Sequence, residues 1–131
     1  MHKLWFSLAL LFASAHCFGQ SADPCKSQNN TLEIDECGKL TLKAKDKELN
    51  QAYQALLKSL KPDNKGDDTN FAEVKKRLLE AQRAWITFRD NDCKAKLTLW
   101  ASGTIRGAMY LGCLTERTEQ RTKELRNWAN E

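Results

Sequence analysis

Histidine is missing from everything beyond His16: the two histidines of the chain, His2 and His16, both fall in its first nineteen residues. That absence excludes Ser-His-Asp and Cys-His nucleophile machinery from the body of the protein, and any zinc site with an imidazole ligand. The cysteines show no C-x-x-C spacing. Outside the cytoplasm, cysteine ligands would also have to resist oxidation. No sustained alternation of apolar and polar residues bounded by turns is present, which argues against strands. Repeats and low-complexity tracts are absent as well. Only one long apolar run occurs, at the start of the chain.

That run has the three parts of a secretory signal. Lys3 supplies the positive start, Leu4 to Phe12 are apolar apart from Ser7, and small residues follow. It is too short for a spanning helix, which needs about twenty apolar residues. Ala13-Ser14-Ala15 fits the A-x-A cleavage rule, and Cys17-Phe18-Gly19 also ends in a small residue. The second site is favoured because it removes Cys17 and leaves an even number of thiols. Acylation of Cys17 is disfavoured by His16, since a lipidated cysteine normally follows a small residue. Residues 1–19 are therefore expected to be a signal peptide and residues 20–131 one soluble, exported domain, in the periplasm or secreted. The charge is mildly basic, +4 overall, and the leader carries one of those cations, Lys3. So weak a balance gives no reason to expect nucleic acid.

Three amphipathic segments follow. The first helix is expected from Thr31 to Leu60, with Thr31 as its cap. Its stripe is Leu42, Leu49, Tyr53, Leu56 and Leu60, and Gly38 is a possible break. Pro62 and Gly66 punctuate a turn, after which Asp68 or Thr69 can cap a second helix. Phe71, Val74, Leu78, Ala81, Trp85 and Phe88 repeat there in steps of three and four. Residues 101–107 form a second break. A third helix is expected over residues 108–127, with Leu111, Leu114, Thr118, Leu125 and Trp128 inward. The expected fold is all-α: an antiparallel three-helix bundle stapled by two disulfides. A carboxylate pair alone can cleave a glycoside, but three short helices offer no cleft to hold one. No enzyme activity, metal or cofactor is expected.

Cys25, Cys37, Cys93 and Cys113 allow three pairings. If the first turn centres near residue 65, Cys37 and Cys93 lie level on the first two helices. That favours Cys37–Cys93 with Cys25–Cys113. Cys25–Cys37 with Cys93–Cys113, both local in sequence, remains the alternative.

Gln82, Trp85, Phe88, Arg89 and Cys93 have the spacing Gln-x-x-Trp-x-x-aromatic-Arg-x-x-x-Cys. This resembles the central motif of the LprI-type lysozyme-inhibitor family. Leu49-Asn50 with Tyr53, the Ser102-Gly103-Thr104 loop, and Cys113 with Thr118 and Arg121 are similar to its other segments, in the same order. The resemblance spans about residues 25–126. It implies a small helical exported domain that binds a lysozyme. Two features depart from it: there is no convincing lipidation box, and the charge is basic where steering toward a basic lysozyme favours an acidic inhibitor.

Within the motif, Trp85 is expected in the core. Arg89 is expected to pair with Glu116 or Glu119, and Asp90 with Arg117 or Arg121. Lys39, Lys43 and Lys47 read as a solvated face. The two loops are the expected contact sites, through Lys65 in the first and Ser102, Thr104 and Arg106 in the second. Trp100 and Trp128, near helix ends, are candidate aromatic anchors. The leading function is occlusion of a lysozyme or muramidase cleft. The rivals are a cell-envelope scaffold that inhibits nothing, and an immunity protein against an exported toxin.

Overall fold

The computed structural model describes residues 25–62, 68–99 and 101–128. The proposed leader, Lys65 and Trp100 lie outside them. Three helices account for most of the described chain: α1 (Thr31–Ser59), α2 (Phe71–Leu99) and α3 (Arg106–Trp128). Among the described residues no strand occurs, and no helix is long and apolar enough to cross a membrane.

Both long helices begin on an asparagine rather than on the threonine or aspartate expected. The Asn30 side chain accepts from the Glu33 amide at 3.0 Å, and that of Asn70 from the Glu73 amide at 3.1 Å. Each cap satisfies an amide that has no partner within the helix. The glutamate at the third position also meets the positive end of the dipole. Helix α1 ends at Leu60, two residues before Pro62, which cannot continue it.

Contacts fix the topology. Along α1 and α3 the pairs Asp35–Gly107, Gly38–Leu111 and Lys45–Glu119 rise together, so these helices run parallel. Between α2 and α3 the ties Gln82–Arg121, Asp92–Arg117 and Cys93–Cys113 run in opposite senses. Both α1 and α2 pack chiefly on α3 and barely touch each other. One core cluster joins Leu49, Ala52 and Leu56 to Leu78 and Leu125, with Trp85 and Tyr53 against it. A second surrounds Cys93, Cys113 and Leu114. Thr118 and Thr122 are buried, and their hydroxyls donate to the carbonyls of Leu114 and Thr118 at 2.7 and 2.8 Å. That bonding one turn back satisfies two polar groups that burial would otherwise penalise.

Helix α2 departs from its expected stripe. Leu78 is buried as expected, but Ala81 and Phe88 are exposed and the polar Gln82 is buried in their place. The inward line is polar at Gln82 and Arg89, which an apolar template cannot follow.

The disulfides are Cys25–Cys37 and Cys93–Cys113, not the long-range pairing favoured by the hairpin register. The ion pair Asp46–Arg89 makes those two positions level. Cys37 is then level with Thr98, about 7 Å along the axis from Cys93. The α1–α2 connection, residues 60–70, is centred on residue 65 as expected, but the two helices are offset along their axes, and the α2–α3 hairpin brings Cys93 opposite Cys113 instead.

Gly38 does not break α1. It lets α3 approach: a Cβ there would lie 3.0 Å from Leu111 Cδ1 and 3.2 Å from Leu111 Cβ, whereas one at Gly112 would meet nothing within 4 Å. The same substitution should therefore have opposite signs at the two sites. Gly112→Ala is expected to stabilise by up to about 1 kcal/mol through helix propensity. Gly38→Ala should lose about 1 kcal/mol net, because crowding against a neighbour's Cβ outweighs that gain. Thermal melts of the two variants, read against the parent, check this.

Candidate functional site

Gln82, Trp85, Arg89 and Cys93 recur every three or four residues, so they share one face of α2. Each ties α2 to something. The Gln82 Oε1 accepts from Arg121 Nε at 3.1 Å, and Arg121 also pairs with Glu124 at 2.9 Å. Trp85 is half-buried against the larger core, with the Arg89 guanidinium 5.4 Å from its ring centroid. Arg89 has a side chain only 12% exposed and donates to Asp46 Oδ1 at 2.9 Å and Thr118 Oγ1 at 3.0 Å. It also donates to Asp90 Oδ1, at 3.0 Å from Nε and 2.9 Å from Nη2. One planar, permanently charged group thereby touches all three helices.

These partners differ from the expected ones. Arg89 takes Asp46, not Glu116 or Glu119, which line the α1–α3 groove instead. Glu119 pairs there with Lys45 at 3.2 Å. Hydrogen bonds to Glu48 and Glu119 raise the Lys45 pKa above the ordinary lysine value. Asp90 binds its own neighbour, and Arg117 goes to Asp92 at 2.9 Å. Asp92, Cys93 and Cys113 place possible metal donors together, but the disulfide uses both sulfurs and leaves one carboxylate. The side chains of Gln82, Trp85, Arg89 and Cys93 thus tie α2 to its neighbours as a clasp.

The loop after α2 is differently built. Ser102, Thr104 and Arg106 are all exposed, and Arg106 Nη1 donates to the Ala101 carbonyl at 3.2 Å, closing the turn. Apolar side chains flank it: Leu99 is 82% exposed and Ile105 53%. Leu32, also exposed, lies in the first turn of α1 near this level. Cys93–Cys113 braces the two helices that carry the loop, and Cys25–Cys37 braces the start of α1 beside it. Asp35 leans over Gly107 at the positive end of α3; a Cβ on Gly107 would sit 2.7 Å from Asp35 Oδ2. The α1–α2 connection leaves α1 and enters α2 at the opposite end of the bundle, so it cannot share one contact with Ser102–Arg106.

The family model for the lysozyme inhibitor LprI matches residues 21–125, nearly the whole of the chain beyond the apolar start. The chain belongs to the LprI lysozyme-inhibitor family. An uncharacterized protein of Rhizobium meliloti (strain 1021) is 31% identical over 121 residues, covering 89% of this chain and 87% of the relative. No solved structure matches. In this LprI-family fold the motif Gln82–Cys93 acts as the clasp and the loop 101–106 as the braced, exposed end. The sequence pattern singles out Gln82, Trp85, Arg89 and Cys93 but not their partners. It also did not reveal the exposure of Leu99 and Ile105, whose only signal is apolar character beside a glycine-containing break.

Proposed function

We propose that this LprI-family protein is exported by residues 1–19, folds as one domain over residues 20–131, and inhibits a lysozyme or related muramidase by occluding its cleft. The observation that carries the reading is the family match over residues 21–125. The contact surface is the disulfide-braced end of the bundle, where Ser102, Thr104 and Arg106 present polar and cationic atoms between Leu99 and Ile105. A polar protrusion held by rigid helices loses little conformational freedom when it enters a sugar-binding cleft.

The test is a cell-wall lysis assay with a panel of lysozymes. The parent protein should suppress lysis by at least one of them. Ile105→Asp, on an exposed side chain that makes no core contact, should weaken suppression at least about tenfold while leaving the melting temperature within a few degrees. Full inhibition by Ile105→Asp would move the contact elsewhere on the molecule.

A further inference from the structure

Because the backbones of α1 and α2 approach α3 more closely than each other, an open groove of about 380 Å³ runs between them. Its lining mixes apolar side chains with the polar Gln82 and Arg89. Leu49 is buried, Tyr53 is half-buried, and Leu79 and Ile86 remain 40% and 41% exposed. These residues share a surface with no covering element among the described residues.

The rims carry unbalanced charge. On α1 the line Lys43, Asp46, Asn50, Tyr53 follows three- and four-residue steps, and on α2 so does Lys76, Leu79, Arg83, Ile86, Asp90. Both carboxylates of these lines, Asp46 and Asp90, are already taken by Arg89. Among the described residues, Lys43, Lys76 and Arg83 form no ion pair and the Asn50 side chain no hydrogen bond. Arg83 lines the groove and the two lysines stand beyond its ends, so Leu79 and Ile86 lie between cationic flanks.

We infer that this groove is a second binding site, which takes an acidic amphipathic helix from a partner protein. The occupant follows from the shape and the charge. Two antiparallel helices with a gap between them present the seat of a further helix, and no sheet edge is available for an extended strand. From the level of Lys43 to that of Lys76 is about 24 Å, the length of roughly sixteen helical residues. Leucine-type anchors two turns apart would lie over Leu79 and Ile86, with carboxylates flanking them toward Lys43, Lys76 and Arg83. A membrane surface fits less well, because it needs apolar groups outermost on a convex face, and here they are recessed. This site lies along the side of the bundle, apart from the loop end assigned to lysozyme, and does not depend on that assignment.

The probe is a synthetic sixteen-residue peptide with leucine on one helical face and glutamate on the flanks, titrated by fluorescence anisotropy into the purified protein with both disulfides formed. Its controls are the same peptide with lysine for glutamate, and a scramble that destroys the face. The acidic amphipathic peptide should bind at least about tenfold more tightly than either control, and binding should weaken as salt is raised. Arg83→Glu and Ile86→Glu should each lower that affinity about tenfold or more without changing helical content or inhibition of lysozyme. Equal affinity for the acidic and basic peptides would overturn the inference. So would indifference to both substitutions, dimerisation of the protein through this face, or binding only to anionic vesicles.

Discussion

Replacing Cys93 and Cys113 together by alanine is expected to remove about 3–4 kcal/mol of stability, the largest loss from any one feature of this fold. The bridge closes a separation of 20 residues. Loop-closure entropy assigns about 3 kcal/mol to a loop of that size. Cys93 is fully buried and Cys113 nearly so, so truncation also leaves a small void in the second core cluster. Domains of this size have only about 5–15 kcal/mol in total. The melting temperature should fall by roughly 15–20 °C. Loss of Cys25–Cys37 should be milder, although its separation of 12 residues gives nearly the same entropy. Residues 25–30 are exposed throughout, so that lead-in can fray while the bundle stays folded. About 1 kcal/mol is expected there. Parallel melts of the two double variants decide the contrast, and similar losses would show that the lead-in unfolds with the bundle.

Arg89→Met should cost about 2–3 kcal/mol, the second largest effect. It deletes donors to Asp46, Asp90 and Thr118 and the charge stacked on Trp85. Charge-assisted hydrogen bonds from a nearly buried guanidinium are worth more than surface pairs. The total is held down because Asp46 and Asp90 remain wet enough to be rehydrated, and Thr118 keeps its bond to Leu114. Arg89→Lys should recover less than half, since an ammonium cannot reproduce the fork. Asp46→Asn should cost less than about 1 kcal/mol, because that carboxylate is half exposed. Denaturant unfolding of the three variants gives the order directly. A larger loss for Asp46→Asn than for Arg89→Met would contradict the view of Arg89 as the hub.

Much of the fold was legible in the chain. Leu49, Leu56, Leu114 and Leu125 are buried where three- and four-residue periodicity put them, and the helix ends fall within a few residues of the expected ones. What periodicity could not supply was relative height. The connection is centred where expected, but an axial offset of a few residues between α1 and α2 separates Cys37 from Cys93. Partner choice failed for a related reason. Arg89 was matched to α3 alone, while its actual acid, Asp46, comes from α1, which runs parallel to α3. The Ala81 and Phe88 positions misled because the inward line of α2 contains Gln82 and Arg89, polar residues that their partners hold inside. The groove between α1 and α2 had no sequence signal. It exists because α3 takes most of the contact, helped by the close approach that Gly38 permits.

The central claim, that this LprI-family protein grips a lysozyme and performs no chemistry on it, is tested most directly by titrating lysozyme activity with the protein. Cell-wall lysis by a susceptible lysozyme should fall in proportion to added protein and reach its floor near one equivalent, with both partners recovered intact from the complex. Undiminished lysis at large molar excess across lysozyme classes, or suppression that continues catalytically far below one equivalent, would contradict it.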